Sequence, residues 1–284
     1  MEIRAHSAGA TRRMGRLFEP RGYSIIIAMD HGIAGVPEAA PDPGLMLRSV
    51  LDADPDGVLL NAGVARQYAH ELARRDSPCL VLGLDQVVHR EPGGFGPALA
   101  HGPQISVEEA VRLGADCVKA MLIMGVRDRT TQLDNLVYLA EASESCRRWS
   151  MPFMIEPYLW GEDVPSDPTA RARLAADGAR MAVEIGADIL KVEFPGDVTL
   201  FRNLVDASPI PVVVLGGPKL PTRRATVANV VLAAQAGARG VTIGRNVWGY
   251  GDPAPMVRAL STAFATKDFD LAIAEIEDPA VARP

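Results

Sequence analysis

Residues 114–119 read Gly-Ala-Asp-Cys-Val-Lys and residues 186–191 read Gly-Ala-Asp-Ile-Leu-Lys, so one phrase occurs twice with lysine in its last place. A third relative, Gly237-Ala238-Arg239-Gly240-Val241-Thr242, carries threonine there. Each copy follows a stretch with helical patterning (Val107 to Leu113, Ala172 to Ile185, Val227 to Ala236) and runs into a short apolar segment. Glycine after a helix supplies a left-handed C-cap, and an unbroken apolar run reads as a parallel strand buried on both faces. The phrase therefore points to a chain built from helix-then-strand units. It also singles out two lysines, because a charged side chain in a buried strand is costly unless it is neutralised, paired or used.

Eight such strands can be read: Ser24–Met29, Gly57–Asn61, Cys79–Leu84, Asp116–Met121, Phe153–Tyr158, Asp188–Glu193, Pro211–Leu215 and Gly240–Ile243. Amphipathic segments separate most of them, and Ser106-Val-Glu-Glu109 is a capping box that opens one of these helices. Eight alternations over 284 residues predict a (βα)8 TIM barrel of the α/β class, with an open doubly wound sheet as the alternative. No linker-like stretch interrupts the chain, so residues 1–284 are expected to form a single barrel domain. Residues 1–20, with four arginines and no apolar core, are not a secretory signal and read as an N-terminal arm or helix closing the bottom of the domain. Residues 89–104, with four glycines, read as a long loop after the third strand, and residues 161–169 as another after the fifth. Both would emerge at the C-terminal face, where barrels build their sites.

A net charge of −6 and a pI near 5.4 give no support to nucleic-acid or anionic-membrane binding. No apolar run approaches the ~20 residues that span a bilayer. Cys79, Cys117 and Cys146 cannot all pair with one another, and reduced, buried thiols in a cytoplasmic protein fit best.

Polar residues gather at the C-terminal ends of the predicted strands. The first ends in Met29-Asp30-His31-Gly32, Glu156 and Tyr158 share a face of the fifth, and Lys191 and Glu193 share a face of the sixth. A ring of buried ion pairs without function would be a costly way to fill a core. Lysine in a barrel suggests Schiff-base chemistry, in which a neutral amine attacks a carbonyl; a neighbouring cation or an apolar wall favours that state. Lys119 and Lys191 are near neighbours in an eight-strand ring, and spacing alone leaves open which is the nucleophile. The seventh and eighth strands end in Gly216-Gly217-Pro218-Lys219 and Gly244-Arg245-Asn246. Adjacent glycine-rich ends at these two strands are the usual barrel site for a phosphate, to which Arg245 can add a charge-assisted contact. The five histidines show no ligand spacing, so no metal site is expected, and no Rossmann or Walker motif suggests another cofactor. His31 reads as a hydrogen-bonding or substrate-binding residue.

Ile25-Ile-Ile-Ala-Met-Asp-His-Gly32, Leu215-Gly-Gly-Pro-Lys219, Gly240-Val-Thr-Ile-Gly-Arg-Asn-Val247 and Arg13-Met-Gly-Arg-Leu-Phe18 resemble the archaeal-type class I fructose-bisphosphate aldolase family. Cys117-Val-Lys-Ala-Met121, Ile155-Glu-Pro157, Ala187-Asp-Ile-Leu-Lys-Val-Glu-Phe-Pro195 and Trp248 are closer to class I tagatose-bisphosphate and sulfofructose-phosphate aldolases. The resemblance spans nearly the whole chain. It implies a class I aldolase acting on a phosphorylated ketose or aldehyde, with Lys191 as the Schiff-base lysine, Asp30 as the acid on the first strand and phosphate at Gly216, Gly217, Gly244 and Arg245. Tyr158 matches the proton-transfer tyrosine of the fructose-bisphosphate branch. That branch follows its tyrosine with Pro-Arg-Gly, where this chain has Leu159-Trp160-Gly161. Glu156 and Lys119 match the other branches, so Tyr158 and Glu156 both stand as candidates for proton transfer. A transaldolase-type synthase and a thiolase-like acyltransferase are the alternatives that keep the Schiff base, and a phosphate-binding isomerase or non-catalytic barrel the alternative without it. A cytoplasmic homo-oligomer without cofactor, nucleic-acid or membrane partner is expected.

Overall fold

The computed structural model describes residues 7–19, 21–91 and 95–277. Its strands are β1 (Ser24–Ala28), β2 (Gly57–Leu60), β3 (Cys79–Gly83), β4 (Asp85–Glu91), β5 (Phe95–Pro103), β6 (Cys117–Met124), β7 (Phe153–Leu159), β8 (Ile189–Glu193), β9 (Val212–Leu215) and β10 (Gly240–Ile243). All but β4 and β5 are parallel neighbours in a closed barrel, ordered β1-β10-β9-β8-β7-β6-β3-β2. The helices are α1 (Ala8–Phe18), α2 (Pro43–Asp52), α3 (Ala62–Gln67), α4 (Val107–Arg112), α5 (Arg129–Trp149), α6 (Pro168–Ile185), α7 (Val198–Ala207), α8 (Arg223–Gln235), α9 (Arg245–Trp248), α10 (Ala254–Thr266) and α11 (Phe269–Glu277). The closed ring is the (βα)8 barrel, and the open doubly wound alternative is excluded.

The repeated phrase marks the turn from helix into barrel strand. Gly114, Gly186 and Gly237 have φ of 80°, 106° and 102°, the left-handed region that a side chain would strain. The aspartate two residues later is a latch on the preceding strand. Asp116 Oδ2 accepts the Leu80 N–H at 3.0 Å and Asp188 Oδ2 accepts the Phe153 N–H at 2.9 Å. Asp56, outside the repeat, does the same for Ile25 at 2.8 Å. In the third copy Arg239 instead donates from Nε to the Gly22 carbonyl.

Strand alternation then stacks the interior in layers. The bottom layer is apolar: Met14, Leu17 and Phe18 of α1 pack upward against Ile26, Leu59, Val81, Cys117, Met154, Ile189 and Val213. The predicted N-terminal arm is thus a helix plugging the barrel, with Ser7 as its N-cap; residues 1–6 lie outside the described residues. Two positions further along β6, β7 and β8 come Lys119, Glu156 and Lys191, one layer above this plug.

Two readings need correction. Residues 89–104 are not a plain loop: β4 and β5 form an antiparallel hairpin rising from the end of β3. Its alternation is masked in the sequence by register shifts around His89. The capping box is half formed. Ser106 Oγ accepts the Glu109 N–H at 3.1 Å, but the Glu109 carboxylate pairs with Arg66 at 2.7 Å.

Candidate active site

The C-terminal mouth of the barrel holds a cavity of about 410 Å³, within the range of small-molecule pockets. Asp30, His31, Lys119, Glu156, Tyr158, Lys191, Gly216, Gly217, Gly244 and Arg245 all line it, so the fold brings every residue singled out from the sequence to one place.

At its base, one carboxylate oxygen serves two lysines. Glu156 Oε2 on β7 accepts from Lys191 Nζ of β8 at 2.8 Å and lies 3.0 Å from Lys119 Nζ of β6. β7 lies between β6 and β8; Lys119 is paired in register with Met154, and Glu156, at the next inward position along β7, meets its amine from one step further up the barrel. All three side chains are buried. Burial works against the charge on Glu156, but Lys119, then Lys191, and their hydrogen bonds outweigh it and hold the carboxyl below its ordinary range. Burial likewise opposes the charge on Lys119, yet Glu156, Asp30 and Asp85 together push its amine above the ordinary range. Asp30, at 3.8 Å from Lys119 Nζ, is also held low, because Lys119 and Lys191 outweigh its desolvation. The result is a compact ion cluster with Lys119 and Glu156 charged.

Asp30 and His31 sit in a short 3-10 turn after β1, whose carbonyl at Asp30 accepts from Asn61 Nδ2 at 2.8 Å. The His31 ring meets the edge of Trp248, and its pKa is lowered by burial and by Arg245 and Lys191 against the pull of Asp30. Tyr158, half-buried at the end of β7, places its hydroxyl 3.2 Å from His89 Nε2. Burial first, then Glu156, push its phenol above the ordinary value, so it is protonated at neutral pH.

The glycine-rich ends of β9 and β10 form a tight cradle. A Cβ on Gly216 would lie 2.4 Å from Ile243 Cγ1, and one on Gly244 would lie 2.2 Å from the Ala28 carbonyl oxygen. Asn246 ties the two ends together. Its Nδ2 donates to the Gly216 and Pro218 carbonyls at 2.7 and 2.9 Å, and its Oδ1 accepts the Leu220 N–H at 2.7 Å. Arg245 lines the cavity beside them.

Sequence reasoning missed several lining groups. Asp85, fully buried on β4, accepts the Met121 N–H at 2.7 Å and is held by His101 Nε2 at 2.8 Å, tying the hairpin to the barrel. Nothing marks this pair in the sequence once residues 89–104 are read as a loop. Thr242, by contrast, was findable: it occupies the lysine place of the third repeat, lines the cavity, and its buried hydroxyl has no hydrogen-bond partner among the described residues. His89 and Trp160 also line the cavity. Among the described residues no cluster of three His, Cys, Asp or Glu side chains could hold a metal ion, and no helix is long and apolar enough to cross a membrane.

The model of the DeoC/LacD family of aldolases matches residues 24–249. An uncharacterised aldolase of Saccharolobus solfataricus is 30% identical over 255 residues, covering 89% of this chain and 93% of the relative. The class 1 fructose-bisphosphate aldolase of Thermoproteus tenax is 32% identical over 264 residues, covering 89% and 94%. Among solved structures, an archaeal fructose-1,6-bisphosphate aldolase with its catalytic lysine covalently bound to the carbinolamine intermediate superposes with a TM-score of 0.76 at 30% identity, over 90% of this chain and 99% of that one.

Proposed function

The chain belongs to the DeoC/LacD family of aldolases, and from that premise we propose that it is a class I aldolase acting on a phosphorylated ketose through a Schiff base on Lys191. The observation that carries this reading is the carboxylate of Glu156 shared by Lys191 and Lys119 at the base of the cavity. Among the described residues Lys119 Nζ has two carboxylates within 4 Å, Asp30 and Glu156, whereas Lys191 Nζ has Glu156 and stands beside the glycine-rich ends of the cavity, which favours Lys191 as the amine that attacks. Its attack on the ketose carbonyl gives a carbinolamine, and loss of water gives an iminium that accepts the electron pair when the neighbouring carbon–carbon bond breaks. Asp30 serves the dehydration or orients a hydroxyl, and His31 and Lys119 hold substrate oxygens.

Glu156 is engaged by both lysines and acts as their charge partner, whereas Tyr158 has a protonated hydroxyl in the cavity. Tyr158 therefore fits the proton transfer: it gives its proton to the alkoxide in condensation and takes it back in cleavage. Substrate phosphate is assigned to the cradle of Gly216, Gly217, Gly244 and Arg245, supported by glycines where a Cβ would collide and by the adjacent guanidinium. The three unpaired, buried thiols support a cytoplasmic setting. Leu133 and Val137, exposed one turn apart on α5, support assembly into a homo-oligomer.

The test is aldehyde release from a panel of ketose phosphates. Turnover by wild type that disappears in a folded Lys191→Met variant is expected; turnover that survives in the variant would move the nucleophile elsewhere.

A further inference from the structure

The ring order places the two ends of the cavity. The cradle lies at β9 and β10, while β6, β3 and the hairpin that follows β3 stand across the barrel from it, with the end of β7 beside them. Lys191, on β8, is next to the cradle. A ketose held by a phosphate at the cradle and by its carbonyl at Lys191 must therefore extend its aldehyde half toward β7 and the hairpin.

That far side is built of rings. Tyr158 and Trp160 stack with centroids 5.6 Å apart and planes at 26°. His89 of the hairpin stands edge-on to both, at 5.8 Å from Tyr158 and 5.3 Å from Trp160. Besides Lys191 and Arg245, the described Lys and Arg side chains that line the cavity are Lys119 of β6, held between Glu156 and Asp30, and Arg171, which is also committed. Its Nε and Nη2 reach both oxygens of Glu193, the shortest contact being 2.7 Å. A bidentate guanidinium–carboxylate pair has little left to offer an anion. An anion drawing Arg171 away would also leave Glu193 facing it, and like charges in a site discriminate as strongly as attractive contacts do. Aromatic faces favour instead an uncharged group with C–H or π surface.

Resting on the Schiff-base reading above, we propose that this site takes a singly phosphorylated substrate, with its phosphate on the ketone half and an aldehyde half that carries no phosphate or carboxylate and packs on the His89–Tyr158–Trp160 wall. The departure from Pro-Arg-Gly to Leu159-Trp160-Gly161 is then a specificity device: it puts a ring at the aldehyde end of the site.

The experiment runs in the condensation direction. Enzyme is charged with dihydroxyacetone phosphate, adduct formation is checked by borohydride trapping, and consumption of glyceraldehyde is compared with that of glyceraldehyde 3-phosphate. The expected result is a kcat/KM at least tenfold higher for the uncharged acceptor, with Glu193→Gln, which releases Arg171, narrowing that ratio. Parity, a preference for the phosphorylated aldehyde, consumption of neither, or a ratio unmoved by Glu193→Gln would each overturn the proposal. Absence of a trapped adduct would instead be a failure of the Schiff-base reading, so the two are told apart.

Discussion

Glu156 Oε2 lies within 3.0 Å of both amines, and this geometry decides which residues remain for proton transfer. A carboxylate that accepts from two buried amines is a poor acid, because protonating it would remove the partner both rely on. Tyr158 has no such duty: it contributes a phenol to the cavity and a ring to the wall beside it. Tyr158→Phe keeps the ring and removes the hydroxyl. It should leave the borohydride-trapped adduct intact while lowering cleavage by roughly 10²–10⁴-fold, the usual worth of one positioned proton transfer. Normal turnover in Tyr158→Phe together with loss of turnover in Glu156→Gln would exchange the two roles. At the cradle, Arg245→Ala should raise KM for phosphorylated substrates with little change in kcat, since the contact exists in ground and transition states alike. Equal efficiency of wild type on the unphosphorylated ketose would remove the phosphate from that position.

The elements are pinned at the bottom of the barrel by side chains whose role has nothing to do with catalysis. Asp116 accepts a buried backbone N–H and pairs with Arg16 of α1, so it joins β6, β3 and the plug helix. Asp116→Ala would leave the Leu80 N–H without its acceptor, at a cost of about 1–3 kcal/mol read as a lower Tm, with kcat preserved in the folded fraction. A drop in kcat without a drop in Tm would contradict a purely structural latch. The barrel was legible because its strands are short apolar runs with glycine or aspartate punctuation, and the repeat gave their spacing directly. The charged layer was legible because period-two alternation puts Lys119, Glu156 and Lys191 on inward faces whatever the detailed register. The hairpin was not: its bulges break the alternation, and its defining contact, Asp85 with His101, joins residues 16 apart that no local pattern connects. The aromatic wall was hidden for the same reason, since His89 reaches Tyr158 only through that hairpin.

For the whole molecule, the ion cluster sets a pH window. Glu156 and Asp30 are held below their ordinary values of 4.5 and 3.8, so the stability they add is complete above those values and is lost as the pH falls below them. Lys119 is held above its ordinary 10.5, so its contribution is complete below that value and is lost as the pH rises beyond it. Between about 4.5 and 10.5 the cluster contributes fully. A triple variant with Lys119→Met, Glu156→Leu and Lys191→Met should be inactive, no less stable than wild type near neutrality, and flatter in its Tm profile at both pH extremes, because well-packed apolar groups often replace a buried ionic triad without loss. A triple variant as pH-sensitive as wild type would place the titrating groups elsewhere. That Lys191 is the amine bonding to substrate is read out by borohydride reduction in the presence of dihydroxyacetone phosphate followed by peptide mass mapping. One reduced adduct per chain is expected, on Lys191; an adduct on Lys119, or on neither lysine, would overturn the assignment.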